Sequence, residues 1–356
     1  MLLDIIAIVA GVSLLVWGAD RFVIGASGIA SNLGLPPMII GLTIVGFGTS
    51  APEILVSGMA AYQGNSGLAI GNALGSNIAN IGLILGVTAL IAPLNVRSET
   101  LRREYPILLA VCLGTLLLML DGNLGRIDGL VLLAGLVAML FAMVRIGMRS
   151  LVGDPITAEI IDELPGEMTT GKAVFNFCLG LALLLFSSRI LVWGAVNIAT
   201  TFGVSDLIIG LTIVALGTSL PELAASIASA VKNEHDIAIG NIIGSNMYNL
   251  LAVLAVPGLM APGPFDPLVL SRDMTMMIGL TLALFVISYG FGGAGRINRF
   301  EGLLLVLAFL AYQGVLFMHT DDAPVSAPAA YQPTAYQQMQ NNTSHEQELQ
   351  TLARRG

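Results

Sequence analysis

GLTIVGFGTSAPEILVS at residues 41–57 returns as GLTIVALGTSLPELAAS at residues 210–226, with 11 of 17 positions identical. A second pair keeps the same offset of 169: AIGNALGSNIAN at 69–80 matches AIGNIIGSNMYN at 238–249, with eight of 12 identical. No insertion separates the two blocks in either copy. Chance does not give two such matches in register, so the chain contains an internal duplication.

Both motifs lie inside apolar sequence. The 356 residues are 55% apolar and 11% charged, with 15 Lys+Arg against 23 Asp+Glu, 41 glycines and a mean hydropathy of +0.85. Soluble domains carry about 25% charged residues. This arithmetic excludes a soluble enzyme, a nucleic-acid binder and a disordered chain, and leaves a polytopic membrane protein. Apolar runs bounded by charge or proline fall near 3–30, 37–62, 67–92, 104–120, 127–148, 171–199, 206–231, 236–259, 273–291 and 300–318. Each approaches the roughly 20 residues a helix needs to cross a bilayer. None alternates every second residue, which excludes a barrel. The first twenty residues carry Asp4 and no basic leader, so they read as a retained first helix.

Five spans separate the two copies of each motif. An odd number turns the second copy upside down in the membrane. The expected fold class is therefore an all-α membrane protein of ten transmembrane helices, arranged as two inverted five-helix repeats with broken helices at the midplane. Residues 1–148 form the first repeat and 171–318 the second. Between them lies an acidic loop, 149–170, with Asp154, Glu159, Asp162, Glu163 and Glu167, whose spacing fits no EF-hand and reads as solvated. The Gln-, Asn-, Pro- and Ala-rich stretch 319–356 reads as a disordered extracytoplasmic tail. Nine basic residues (Arg97, Arg102, Arg103, Arg145, Arg149, Lys172, Lys232, Arg296, Arg299) flank one set of alternate loops, against Arg126 and Arg272 on the other set. The larger set marks the cytoplasmic side and puts both termini outside. Cys112 and Cys178 read as small lipid- or core-facing residues. Asp20 and Arg189, repeat equivalents of opposite charge, read as interfacial.

Two carboxylates stand apart. Glu53 and Glu222 are repeat equivalents, each mid-span and each preceded by a proline, Pro52 or Pro221. An acid at the centre of a membrane helix costs roughly 2.5–3.5 kcal/mol on insertion scales, so a matched pair points to function. Proline removes a backbone donor and clashes with the preceding turn. With Gly48 and Gly217 nearby, the helix is expected to open around 46–52 and 215–221, freeing carbonyl oxygens. Thr49 and Thr218 precede the glutamates by four residues and share their face. The second motif carries a stripe of oxygen donors, Asn72, Ser76 and Asn80, copied as Asn241, Ser245 and Asn249. Gly71/Gly75 and Gly240/Gly244 have the GxxxG spacing of close helix packing. Two carboxylates, two threonines, freed carbonyls and water reach the six to eight oxygens that calcium takes. No Cys or His lies at this depth, which disfavours zinc or copper.

At these residues the chain resembles the sodium/calcium exchanger family of the cation/calcium antiporter superfamily, most nearly its bacterial inner-membrane members with ten helices. The resemblance covers residues 1–318. It implies a multi-pass protein of the bacterial inner membrane, and alternating access in which sodium entry drives calcium out. The partners implied are small inorganic cations and the lipid bilayer, with no cofactor and no nucleic acid. It further implies that Glu53 and Glu222 ligate both ions and that Thr49 and Thr218 offer oxygens to calcium. Ser50, Ser219, Ser76, Ser245 and Asn80 would serve sodium, with the carbonyls of Gly46 and Ala215. Helices one and six would slide as a gating pair. Many members carry Asp at the end of the second motif in the second repeat, where this chain has Asn249. That leaves two mid-span carboxylates rather than three, and leaves the sodium number, potassium dependence and electrogenicity open.

Two other classes stay open: a proton-coupled antiporter for calcium or another cation, and a channel or intramembrane enzyme. A serine hydrolase lacks a mid-span His base, and no HExxH metal site is present. Removing residues 320–356 is expected to leave transport intact, as measured by flux at matched expression. Lost transport would refute the reading of the tail.

Overall fold

A computed structural model of the chain describes residues 2–34, 37–96, 98–150, 168–201, 215–289 and 295–320. The acidic residues of the 149–170 loop, Arg97, Asp206 and the tail beyond Thr320 lie outside the described residues. The chain divides into residues 1–310, which hold the helical body, and 311–356, whose described part is the end of the last helix.

The helices are α1 (Leu2–Leu33), α2 (Pro37–Ile40), α3 (Gly46–Thr49), α4 (Ala51–Tyr62), α5 (Ser66–Ala79), α6 (Gly86–Ile91), α7 (Ser98–Met119) and α8 (Arg126–Ser150). Then come α9 (Thr170–Thr201), α10 (Ala215–Thr218), α11 (Leu220–Val231), α12 (His235–Tyr248), α13 (Ala255–Met260), α14 (Thr275–Ser288) and α15 (Arg299–Thr320). Wider π-helical turns at Gly41–Val45, Asn80–Leu85, Asn249–Val253 and Val269–Met274 make some of them continuous. Among the described residues, seven helical spans are long and apolar enough to cross a membrane. An eighth is the pair Gly41–Thr49 and Ala51–Tyr62, bent by 48°. Glu104–Met119 and Leu220–Val231 are shorter apolar helices.

Burial sorts these spans. Ser66–Ile91 is 72% buried over its apolar window and His235–Met260 is 89% buried, while the other five long spans are 17–33% buried. The two central helices are those carrying the second motif, and the rest turn apolar side chains such as Val16, Leu117, Val137 and Phe186 outward.

Helices α1 and α9 pack along a shared seam. Phe22 and Phe177 stack with ring centroids 4.7 Å apart. Gly25 lies against the Phe177 backbone, and Gly180 against the Phe22 backbone. The contacts repeat at the offset of 169. Gly180 on Phe22 is matched by Gly11 on Leu191, and Gly25 on Phe177 by Gly194 on Ile8. At Gly11 and Gly194 an added Cβ would sit 3.0 Å from Leu191 and 3.1 Å from Ile8. Small residues at such a seam let two backbones approach closely. Asp20, expected as an interfacial charge, leaves this helix pair to form an ion pair of 2.6 Å with Lys232. Gly240 and Gly244 face Gly41 and Leu42 as the GxxxG spacing predicts. For Gly71 and Gly75 the equivalent partner segment, 210–214, lies outside the described residues.

Two short antiparallel ladders escaped the sequence reading because their strands are only two or three residues long. Strand β1 (Leu94–Val96) pairs with β4 (Gly295–Ile297), and β2 (Asn123–Leu124) with β3 (Gly263–Pro264). Each ladder joins two loops that the hydropathy pattern assigns to one side of the membrane. Local signals set the helix ends. Asn298 and Glu301 exchange backbone bonds of 2.7 and 3.0 Å, a capping box that starts α15. The turns after α4 and α11 both need a left-handed residue, supplied by Gly64 (φ 77°) and its repeat equivalent Asn233 (φ 62°). Gly64→Ala is expected to lower stability by about 1–2 kcal/mol, and Gly64→Asn by much less, as thermal melting in detergent would show.

Candidate cation site

The first motif breaks at one residue. Ser50 (φ −80°, ψ 3°) separates α3 from α4, and Ser219 (φ −89°, ψ 4°) separates α10 from α11. The break falls within the expected windows, and its cause is the expected proline at the start of the following helix. Each glutamate thereby occupies the first turn of a new helix, Glu53 in α4 and Glu222 in α11. Unpaired N–H groups give that end partial positive charge, which favours a carboxylate. The preceding half-helices end at Thr49 and Thr218 and turn their carbonyl ends toward the same breaks.

Burial alone does not single out the pair. Asp4, Glu104, Asp236 and Asp273 are also buried, and each has a polar partner, for example Asn197 donating to Asp4 at 3.0 Å and Arg272 to Asp273 at 2.6 Å, although Glu104 keeps one unpartnered oxygen, Oε2. Glu53 is 1% exposed and neither of its carboxylate oxygens accepts a hydrogen bond. Glu222 is 2% exposed and its Oε2 is likewise unpartnered. Glu222 lies within electrostatic range of Glu53, with Thr49 and Ser50 beside it, and Thr218 stands beside Glu53. Each carboxylate thus faces the threonine of the other repeat. Among the described residues, neither forms an ion pair with Lys or Arg.

The same pattern surrounds them. Ser50 Oγ, Asn77 Oδ1, Asn80 Oδ1 and Asn249 Oδ1 are buried without a hydrogen-bond partner. Buried polar atoms are almost always satisfied, so seven orphaned oxygens on two duplicated motifs form an anomaly with a common sign. They are electron-rich oxygens, and a cation is the partner that suits them all. Ser76, Ser219 and Ser245 are also buried here, with Ser245 Oγ 3.4 Å from the Thr49 hydroxyl. The Gly46 carbonyl accepts the Ser50 N–H at 3.0 Å and lies 3.4 Å from the Thr49 hydroxyl oxygen. Ala215 begins α10, one turn before Thr218.

Not all of the expected stripe points the same way. Asn72 Nδ2 donates to the Glu53 backbone oxygen (3.1 Å) and to Ser57 Oγ (2.9 Å). Asn241 Nδ2 donates to the Glu222 backbone oxygen (3.3 Å) and to Ser226 Oγ (3.0 Å). Asn80 Nδ2 donates to Asn246 Oδ1 at 3.0 Å, and Asn77 Nδ2 contacts Met277 Sδ at 3.3 Å. Ser57, Ser226, Asn77 and Asn246 were not among the expected site residues. Their signal was available: each is identical between the two copies of its motif. Asn80 and Asn249 each open a π-helical turn, a local widening frequent at functional sites.

Comparison with known proteins agrees with this architecture. The family model described as sodium/calcium exchanger protein matches residues 3–145 and again 172–318. A putative antiporter, CaxA, of Alkalimonas amylolytica is 52% identical over 317 residues, covering 89% of this chain and 99% of its own. Inner membrane protein YrbG of Escherichia coli is 40% identical over 321 residues, covering 89% and 98%. A solved structure of the sodium-calcium exchanger NCX_Mj superposes with a TM-score of 0.76 at 32% identity, covering 88% of this chain and 98% of that one. Fold and relatives together define a multi-pass helical membrane protein of the ion-transporting, antiporter class. The chain belongs to the sodium/calcium exchanger family.

Proposed function

We propose that this protein expels calcium in exchange for sodium by alternating access at a midplane site built on Glu53 and Glu222. The observation that carries the reading is the cluster of buried, unpartnered oxygens around two glutamates that have no basic counter-charge among the described residues. Two carboxylates neutralise Ca2+, and with Thr49 and Thr218 they supply most of the six to eight oxygens it takes. Ser50, Ser219, Ser76, Ser245 and Asn80, with the carbonyls of Gly46 and Ala215, serve sodium, and Asn249 adds a neutral oxygen. The ten helices form two inverted repeats with both termini outside. The matched glycine contacts of α1 and α9 and the exchange of strands between halves support that symmetry. α1 and α9 slide as the gating pair.

One observation favours a second reading, proton coupling. Two buried carboxylates in electrostatic range of each other are groups that can exchange a proton for a cation. Equilibrium binding of radioactive calcium to the purified protein separates the two readings. Displacement by millimolar sodium at constant pH is expected, and indifference to sodium with displacement by acid would overturn sodium coupling. Asn249→Asp adds a third carboxylate and is expected to tighten sodium's competition in that assay about tenfold. Unchanged competition would remove Asn249 from the site.

A further inference from the structure

We infer that Asn72 and Asn241 are positioning residues rather than cation ligands, and that with Ser57 and Ser226 they set the orientation of the liganding groups. The inference rests on the two-glutamate reading above and deepens it. The backbone oxygens of Glu53 and Glu222 can only accept hydrogen bonds, so the amide group facing each of them is the NH2. That fixes both asparagine orientations without appeal to the rest of the network. In each repeat the two NH2 hydrogens are then fully used, one on the glutamate backbone and one on a serine hydroxyl. The bracket ties the residue that bears the carboxylate to the neighbouring buried helix, one turn past the break at Ser50 or Ser219. It occurs twice, at positions related by the offset of 169.

Asn241 does more. With its NH2 turned to Glu222, its Oδ1 faces Thr49 and accepts the Thr49 hydroxyl proton at 3.0 Å. A hydroxyl has one hydrogen and two lone pairs. Committing the hydrogen to Asn241 leaves the lone pairs of Thr49 for a cation and prevents the hydroxyl from donating into the site. One side chain therefore orders a ligand of the first repeat, Thr49, and the backbone of a ligand of the second, Glu222. The Asn241 oxygen is thus turned to Thr49 and already partnered, unlike the unpartnered oxygens of Asn80 and Asn249.

The two roles predict opposite responses to Asn241→Asp. A carboxylate cannot donate to Glu222 or Ser226, but it adds negative charge to a cation site. Positioning predicts that calcium binds at least tenfold more weakly. A ligand role predicts binding as tight as in the unsubstituted protein or tighter, which would overturn the inference. The measurement is equilibrium binding of radioactive calcium to the full-length protein in detergent, with flux in proteoliposomes. Ser57→Ala and Ser226→Ala are milder and decide the matter if Asn241→Asp does not fold. Each removes one acceptor of the bracket and is expected to raise the KM for calcium about fivefold at an unchanged maximum rate. A lowered rate and melting temperature at unchanged KM, or no change in either, would show a packing role and overturn the inference. Thr49→Ser is expected to keep calcium binding where Thr49→Val loses it. Glu222→Gln runs in parallel: if it leaves calcium binding intact, the two-glutamate reading fails and takes this inference with it. If it abolishes binding while the asparagine and serine variants behave as the unsubstituted protein, only the positioning role fails.

Discussion

Glu53→Gln and Glu222→Gln are each expected to abolish calcium exchange, reducing flux at least a hundredfold, in a protein that still folds. Gln nearly matches Glu in shape, and neither oxygen of Glu53 has a hydrogen-bond partner to lose. Removing an unpaired buried charge does not weaken the cation-free protein and can stabilise it. What disappears is the gain from binding. A ligand at a hundred times its Kd stabilises the folded state by about 2.7 kcal/mol. Calcium should therefore raise the melting temperature of the unsubstituted protein and leave both variants unmoved. Exchange near normal in either variant, or a calcium-dependent shift that survives, would remove that glutamate from the site.

Gly180→Val is expected to have the largest effect on folding. An added Cβ at Gly180 falls on the Phe22 backbone, and one at Gly25 falls on that of Phe177. Backbone cannot swing aside as a side chain does, so α1 and α9 must separate and give up the Phe22–Phe177 stack. Overpacking of this kind costs about 1–3 kcal/mol and sometimes more. Gly58, with nothing within 4 Å of an added Cβ, is the contrast: Gly58→Ala should be neutral. Thermal melting in detergent measures both. A Gly180→Val protein as stable as the unsubstituted one would refute the close seam.

Most of the fold was legible because the bilayer simplifies the chain. Spans must be apolar and about 20 residues long, and the duplicated motifs tie the halves together. Span ends were read to within a few residues at α8 and α15, where Arg126 and the Asn298–Glu301 cap mark a start. Glu53 and Glu222 were legible for a physical reason: a mid-span acid is costly, so its presence in duplicate needs a purpose. The inner geometry was not. Periodicity put Asn72, Ser76 and Asn80 on one helix face, but a face is broad. Which amide turns to a backbone oxygen and which leaves an oxygen unpaired depends on the neighbouring helix. Ser57 and Ser226 were passed over because serine is ordinary in a packed membrane helix. Their identity between the two copies marks them, and the contact with Asn72 and Asn241 shows what they do.

The most direct test of the account is calcium uptake into proteoliposomes loaded in turn with sodium, with potassium and at acid pH, while an ionophore clamps the voltage. The account predicts uptake driven by the outward sodium gradient, negligible uptake with the other two, and none in Glu53→Gln or Glu222→Gln. Uptake driven equally by an outward proton gradient, or calcium flux that needs no counter-ion, would contradict it.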